Sequence, residues 1–282
     1  MALEETVQCV ESIRNNIEGD KQIIVVDNCS PNGSGADLAE RYRGAGDVTV
    51  LRTKKNLGFA RGNNAGYAYA AREFSPSFVV VMNNDMEIRQ ADFLDAVTRS
   101  YAETGFAIMG PDIYATKAKY HQNPQTRKVP GRDDLERLIR SFEFKYRFRF
   151  LIPVKWRVKE LLGKGTPAAS DHREDIFVDH VVEDPLLHGS CYVFSRDFMD
   201  RHPKECFYPR TFMYMEAEIL YYQATRDGEK MVYDPRLHVD HHEDVATDAE
   251  FGKQADKSVF TVKCMLQSLR AFLALMDRDD NS

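Results

Sequence analysis

The sequence predicts an α/β protein with a mainly parallel sheet and helices on both faces. Two continuous apolar runs, QIIVVD at 22–27 and SFVVVM at 77–82, have the composition of strands buried on both sides. Helical spacing of apolar residues separates and flanks them through the first 110 positions. Each run ends in an Asn/Asp-rich turn, where an open α/β sheet places its ligands.

In chain order, 3–17 carries Leu3, Val7, Val10, Ile13 and Ile17 at helical spacing. The chain thus begins with a helix, where a nucleotide-binding α/β unit normally opens with a strand. Helices are expected at 35–43, 58–74 and 91–104, and strands at 48–52 and 106–109, the last closed by Gly110-Pro111. From about 116 to 184 the chain is polar, then basic and aromatic, with a strand pattern only at 176–182. Beyond it, 190–195 and 230–233 read as strands, and 196–201, 215–226 and 251–276 as helices. No internal repeat is visible.

Composition narrows the function. The 282 residues hold 38 Lys+Arg and 44 Asp+Glu, a net charge of −6 that argues against a nucleic-acid partner. The five cysteines are scattered without C-x-x-C, which fits a reducing compartment rather than a disulfide framework or zinc ribbon. No run of 18 apolar residues and no secretory leader pattern are present, so the expected location is cytoplasmic.

The candidate site residues lie at element ends. Asp27 closes the first apolar run; it can accept hydrogen bonds from a base or ribose, or serve as a helix cap. Asn83, Asn84 and Asp85 follow the second run, where Asp85 suits a hard divalent cation and Asn83 a ribose or the same cation; a plain turn is the alternative. The stretch 56–66 (NLGFARGNNAG) brings Asn56, Gly58, Arg61 and Asn63 together before an Ala-rich helix, a setting for close backbone approach and phosphate pairing. His188 and Gly189 form a small-residue turn. Glu216 and Glu218 open a helix after an aromatic stretch; either carboxylate can take a proton from a hydroxyl, and helix starts favour acids in any case. They lie about 200° apart on a helix, so both cannot face one pocket. The late HVDHHED cluster, 238–244, offers imidazole as a metal ligand or is a solvated loop.

Taken in order, VVDNCSPNGS, NLGFARGNNAG, VVVMNND, HGSCYVFSRDFM, FMYMEAEILYY and VYDPRLHVDHHED resemble glycosyltransferase family 2. The bacterial members that build rhamnose-containing, capsular and O-antigen polysaccharides of the cell envelope are the most similar. The resemblance implies a GT-A fold and a UDP-, dTDP- or GDP-sugar donor. It also implies a divalent cation (Mg²⁺ or Mn²⁺), inversion at the anomeric carbon, and a glycan or lipid-linked acceptor. It assigns Asp27 to the nucleotide base, Asn56, Gly58, Arg61, Asn63, Asn83 and Asp85 to the donor, and Asp85 and His241 to the metal. His188 and Gly189 would border the reacting sugars, and Glu216 would open the motif that supplies the base. Three departures stand out. The family's opening strand does not precede the first helix, which implies a strand upstream of Met1. The D-x-D position reads Asn-Asn-Asp, and Ala217 occupies the place of the usual base. A catalytically impaired binding subunit and a sugar nucleotidyltransferase are the competing readings; the latter lacks its Gly-rich basic loop here.

The expected organisation is a donor-binding half at 1–111, a basic insert at 112–185, a catalytic half at 186–249 and a helical tail at 250–282. Within the insert, 137–164 carries nine Lys/Arg against two Glu, interleaved with six aromatic residues. This pattern suits peripheral docking on an anionic membrane, a solvated basic face or a dimer contact.

Overall fold

The computed structural model describes residues 2–161, 176–243 and 254–281. Lys164, Asp244 and the start of the expected last helix (251–253) lie outside them. Helix α1 (Leu3–Asn16) is followed by β1 (Ile23–Asp27), α2 (Ser34–Arg41), β2 (Val48–Arg52), α3 (Gly58–Phe74) and β3 (Phe78–Met82). The alternation read from the sequence is therefore present almost residue for residue. Next come β4 (Met86–Glu87), α4 (Phe93–Thr104), β5 (Ile108–Ala115), β6 (Tyr120–His121), α5 (Arg132–Arg147) and α6 (Leu151–Leu161). The chain continues through β7 (Val182–Glu183), β8 (Cys191–Ser195), α7 (Arg196–Arg201), α8 (Glu216–Asp227), β9 (Met231–His241) and α9 (Gln254–Asp279).

The strands form two sheets. β1 and β2 pair in parallel, while a second sheet has the order β3-β8-β5-β9-β4, with β6 on β5 and β7 on β9. Among the described residues no ladder joins the two. The larger sheet is mixed, not mainly parallel: β8 runs antiparallel to both β3 and β5, and only β5 and β9 are parallel. The cause is connectivity. The chain re-enters at the end where β3 stops, with the Asn83 N–H donating to the Ser190 carbonyl at 2.8 Å, and β8 must run back along β3.

Each sheet face has its own core. Val10, Leu38 and Tyr42 from α1 and α2 cover Ile23, Val25 and Val48. On the other side of β1, α3 approaches so closely that a Cβ on Gly66 would lie 2.7 Å from Val26. The second sheet is sandwiched between Phe93 and Val97 of α4 on one face and Tyr67, Phe198 and Leu220 of α3, α7 and α8 on the other. Burying each such side chain contributes about 1.5–3 kcal/mol. Leu135 of α5, Ile219 of α8, and Leu269 and Phe272 of α9 make a further cluster. Helix α9 is long and apolar enough to cross a membrane by length and composition, and here it packs against α5.

Three elements differ from expectation. Strand β5 does not stop at Gly110-Pro111 but runs to Ala115; the register shifts between Pro111 and Asp112, where a residue without an N–H can sit at a bulge. The 112 boundary of the expected insert accordingly falls inside a strand. The polar HVDHHED segment is largely the second half of β9, not a loop, because alternate residues Val239 and His241 point inward and His238 outward. Of 176–182 only Val182 is in a strand; Ile176 and Phe177 are exposed.

Candidate active site

The mouths of β1 and β3 hold the two predicted aspartates. Asp27 is 3% exposed; its Oδ1 accepts from the Ser30 N–H at 3.0 Å and its Oδ2 lies 3.8 Å from Arg52 Nε. A Cβ on Gly35, in the first turn of α2, would overlap that carboxylate at 1.8 Å, so glycine is required there. The turn-stabilising role of Asp27 is thus real, and it occupies one of its two oxygens.

The loop before α3 is pinned from both sides. Asn56 Oδ1 accepts from the Gly58 N–H at 2.9 Å. Gly58 has φ +80°, and a Cβ there would meet the Phe212 carbonyl at 2.3 Å. Asn28 was not singled out by sequence, yet it accepts from the Leu57 N–H and donates to the Gly58 carbonyl, both at 2.9 Å. Arg61 is exposed and donates to the Pro209 carbonyl at 2.7 Å, while Asn63 bonds back to Phe59 within α3. Asn64 is a second residue missed. Buried in α3, it accepts from the Cys206 and Phe207 N–H groups and donates to the Phe207 carbonyl. Asn28 thus ties the 56–58 loop to the end of β1, while Asn64 ties 206–207 to α3, and no local pattern announces its partners 142 and 143 positions away.

Asp85 is 6% exposed, and its Oδ1 has no hydrogen-bond donor. His241 Nε2 lies 3.3 Å from that oxygen. The tautomer follows from the neighbours. Gln122 Nε2 faces the Glu243 carboxylate at 3.1 Å, which only accepts, so Gln122 Oε1 faces His241 Nδ1 at 2.7 Å and Nδ1 carries the proton. With that proton on Nδ1, the neutral form of the ring would present a lone pair on Nε2 to the unpartnered carboxylate oxygen. Two such acceptors side by side suit neighbouring ligands of one divalent cation. Among the described residues no group of three or more His, Cys, Asp or Glu side chains stands together as a metal cage.

His188 stands beside this pair, its ring 6.0 Å from that of His241. Its N–H donates to Asn123 Oδ1 at 2.6 Å and its Nδ1 lies 2.8 Å from Ser190 Oγ. A Cβ on Gly189 would meet nothing within 4 Å, so the space beside this turn is open. Asn83 contributes its backbone N–H to Ser190, and Asn84 donates to Thr6 Oγ1 at 2.9 Å. The rest of the histidine cluster is directed elsewhere: His238 Nδ1 lies 2.7 Å from buried Asp112, and His242 bonds Thr116 and Glu87.

The two glutamates of α8 sit in different surroundings, as their angular separation requires. Glu218 is buried and ion-paired with Arg127. Glu216 is buried with Oε1 unpartnered. Burial pushes its carboxyl up to about 7, only partly offset by hydrogen bonds from its own N–H, the Thr211 hydroxyl and the Tyr214 backbone. Tyr214 and Met215 both adopt positive φ (76° and 69°) to deliver Glu216 to the first turn. Strain of this kind costs on the order of 1–3 kcal/mol per residue and collects at functional sites. Tyr192, whose hydroxyl donates to the Leu187 carbonyl, feels the charges of both glutamates and links them to the His188 turn.

Comparison with known proteins places the chain by fold and by family. The chain is 27% identical over 104 residues to the low-salt glycan biosynthesis hexosyltransferase Agl10 of Haloferax volcanii, covering 37% of this chain and 32% of that protein. It spans about a third of the length of that curated relative. The structure of GalNAc-T7 with UDP, GalNAc and Mn²⁺ superposes with a TM-score of 0.51 at 12% identity, over 83% of this chain and 40% of the other. Staphylococcus aureus TarS 1–349 with UDP-GlcNAc gives 0.50 at 12% identity, over 89% and 56%. These likenesses identify the α/β architecture as a GT-A fold. The Glycosyl transferase family 2 model matches residues 3–160, more than half of the sequence, and the chain belongs to that family.

Proposed function

We propose that this chain is an inverting glycosyltransferase. It moves a sugar from a UDP-, dTDP- or GDP-sugar to a hydroxyl of a glycan or lipid-linked acceptor in cell-surface polysaccharide synthesis. The observation that carries the reading is the pairing of an unpartnered Asp85 oxygen with His241 Nε2 in a fold that also holds a buried, proton-ready Glu216. The nucleotide and Mn²⁺ bound by the structural neighbours support it.

The residues divide the work. Asp27 and the Asn56–Arg61 loop hold the nucleotide, with Asp27 Oδ2 and the exposed Arg61 guanidinium as its polar contacts. Asp85 and His241 would hold a divalent cation, which offsets the charge gathering on the departing diphosphate. The acceptor oxygen forms its bond to the anomeric carbon from the face opposite that diphosphate, whose bond to the sugar breaks. The hydroxyl proton passes to Glu216 Oε1, a transfer that contributes about 10²–10⁴ in rate. Glu218, held by Arg127, shapes the site rather than taking the proton. Placement is cytoplasmic and peripheral to the membrane through 137–164.

Asp85→Ala tests the reading. It should reduce sugar transfer at least a hundredfold and remove the Mn²⁺-dependent rise in melting temperature expected with nucleotide-sugar, while circular dichroism stays unchanged. Full turnover by this variant would overturn the assignment. Ala217 at the usual base position favours a second reading, a binding subunit. Donor binding without transfer or hydrolysis by the unaltered protein would support that instead.

A further inference from the structure

Helices α5 and α6 run in succession along α9, with Arg132 paired to Asp277, Glu143 to Arg270 and Trp156 donating to Ser258, and this segment has two parts. Its proximal part is ordinary core: Leu135, Leu138, Ile139 and Phe142 pack on α8 and α9. Its second part, from Phe144 through α6, rests one side on α9 through the partly buried Trp156 and leaves the other side exposed. Phe144 is 66% exposed and Phe150 65%, and Phe148, Leu151 and Val154 are exposed beside them. The three phenylalanines lie in a row, with ring centroids 4.7 Å apart from Phe144 to Phe148 and 6.2 Å apart from Phe148 to Phe150. Scattered exposed apolar residues are normal on a protein surface; a contiguous row of three phenylalanine rings is not.

Charge surrounds this row. Lys145, Arg147, Arg149, Lys155 and Arg157 have no carboxylate partner among the described residues, whereas the proximal cations Arg137 and Arg140 are paired within α5. Glu143, the acid of this region, is taken by Arg270 of α9. Lys145 and Arg149 lie against the Phe142 and Tyr146 rings, beside the exposed row. Uncovered aromatic rings flanked by unpaired cations match one surface chemistry: apolar chains beneath a layer of phosphates.

We infer that the α5–α6 junction docks on an anionic bilayer, with Phe144, Phe148 and Phe150 entering the headgroup layer and the five cations meeting lipid phosphates. This deepens the proposed membrane placement and names the residues that make it. It is independent of which sugar is transferred, and its test needs no donor.

The full chain is mixed with vesicles of phosphatidylcholine alone or with 30 mol% phosphatidylglycerol, at low and high salt, and floated. The expected result is flotation with the anionic vesicles, weakened by salt. The chain's single tryptophan, Trp156 on α6, provides a second readout through a blue shift in emission on binding. Phe144→Ser/Phe150→Ser should lower the partition coefficient about tenfold or more and abolish the blue shift. Lys145→Glu/Arg147→Glu should lower it by a similar factor. All four side chains are exposed, so both double variants should melt normally. Transfer to a soluble acceptor should be unchanged in both, which separates failure of docking from failure of the catalytic reading. Equal flotation with neutral vesicles, or none with either, overturns the inference. So does binding that the serine variant leaves intact, a dimer that it dissociates, or retention on single-stranded nucleic acid in place of vesicles.

Discussion

Replacing Glu216 by Gln should make the protein more stable and less active, and the size of the gain should depend on pH. The folded state holds this carboxyl near 7, against an ordinary value of 4.5. Because the folded value is raised, the stability associated with the proton is complete below pH 4.5 and is lost as pH rises from there through about 7. Above that window the fold carries a charge it disfavours, at a cost of up to about 3 kcal/mol at 1.36 kcal/mol per unit. Glutamine removes the charge but leaves an amide N–H₂ seeking a partner where Oε1 had none, which returns about 1 kcal/mol. The net gain at pH 8 is therefore about 2 kcal/mol, a rise in Tm of roughly 4–8 °C for a chain of this size. At pH 5 the gain should nearly vanish. Transfer should fall about 10²-fold or more above pH 7, with the gap narrowing as pH falls, and the unaltered enzyme should gain activity with pH up to a plateau just above 7. Paired melting curves at pH 5, 6.5 and 8, with a pH–rate profile, check all of this. A Tm difference that does not grow with pH, or a full rate in the glutamine variant, would refute the reasoning.

Three further outcomes follow from the same geometry. Gln122→Leu leaves His241 Nδ1 without its acceptor and frees the ring to change tautomer, so Mn²⁺-dependent thermal stabilisation should need about 10–100 times more metal. Asn64→Ala strips partners from two buried N–H groups and one carbonyl, so it should cost about 2–4 kcal/mol in urea unfolding and loosen the 206–212 loop. The neighbouring Asp112 carboxylate raises His238, whose stabilising contribution is therefore complete below the ordinary histidine value and fades as pH rises through the raised one. The Tm penalty of His238→Gln should accordingly be larger at pH 5.5 than at pH 8.5, and modest at both because the ring is half exposed.

Much of this was legible in the chain because it is local. An apolar β-branched run ending in an acid describes β1 with Asp27 and, three residues beyond its end, β3 with Asp85. The Ala-rich periodicity of 58–74 coincides with α3. What escaped is non-local. Asn28, Asn64, Gln122 and Asn123 look like ordinary polar residues until their partners arrive from 29 to 143 positions away. The direction of β8 depends on where the preceding insert returns the chain, which no periodicity encodes. The HVDHHED run misled because charge suggests solvent, whereas a strand at a sheet's mouth alternates outward charge with inward histidine. Glu218 could not be separated from Glu216 by sequence, since the difference is Arg127, 91 positions earlier.

The division of the strands into two ladders gives the molecule a seam. Among the described residues it is bridged by helix packing, α3 on β1 and β3 and α1 on β4, and by hydrogen bonds of α1 such as those between Thr6 and Asn84 and between Asn16 and Ile88. The smaller ladder keeps its own apolar cluster with α1 and α2, so it can open as a separate cooperative unit at a lower free energy than the seven-stranded body. A nucleotide reaching from Asp27 on one side to Asp85 on the other would act as a rivet across that seam. The donor would then set the mechanical coherence of its own binding site.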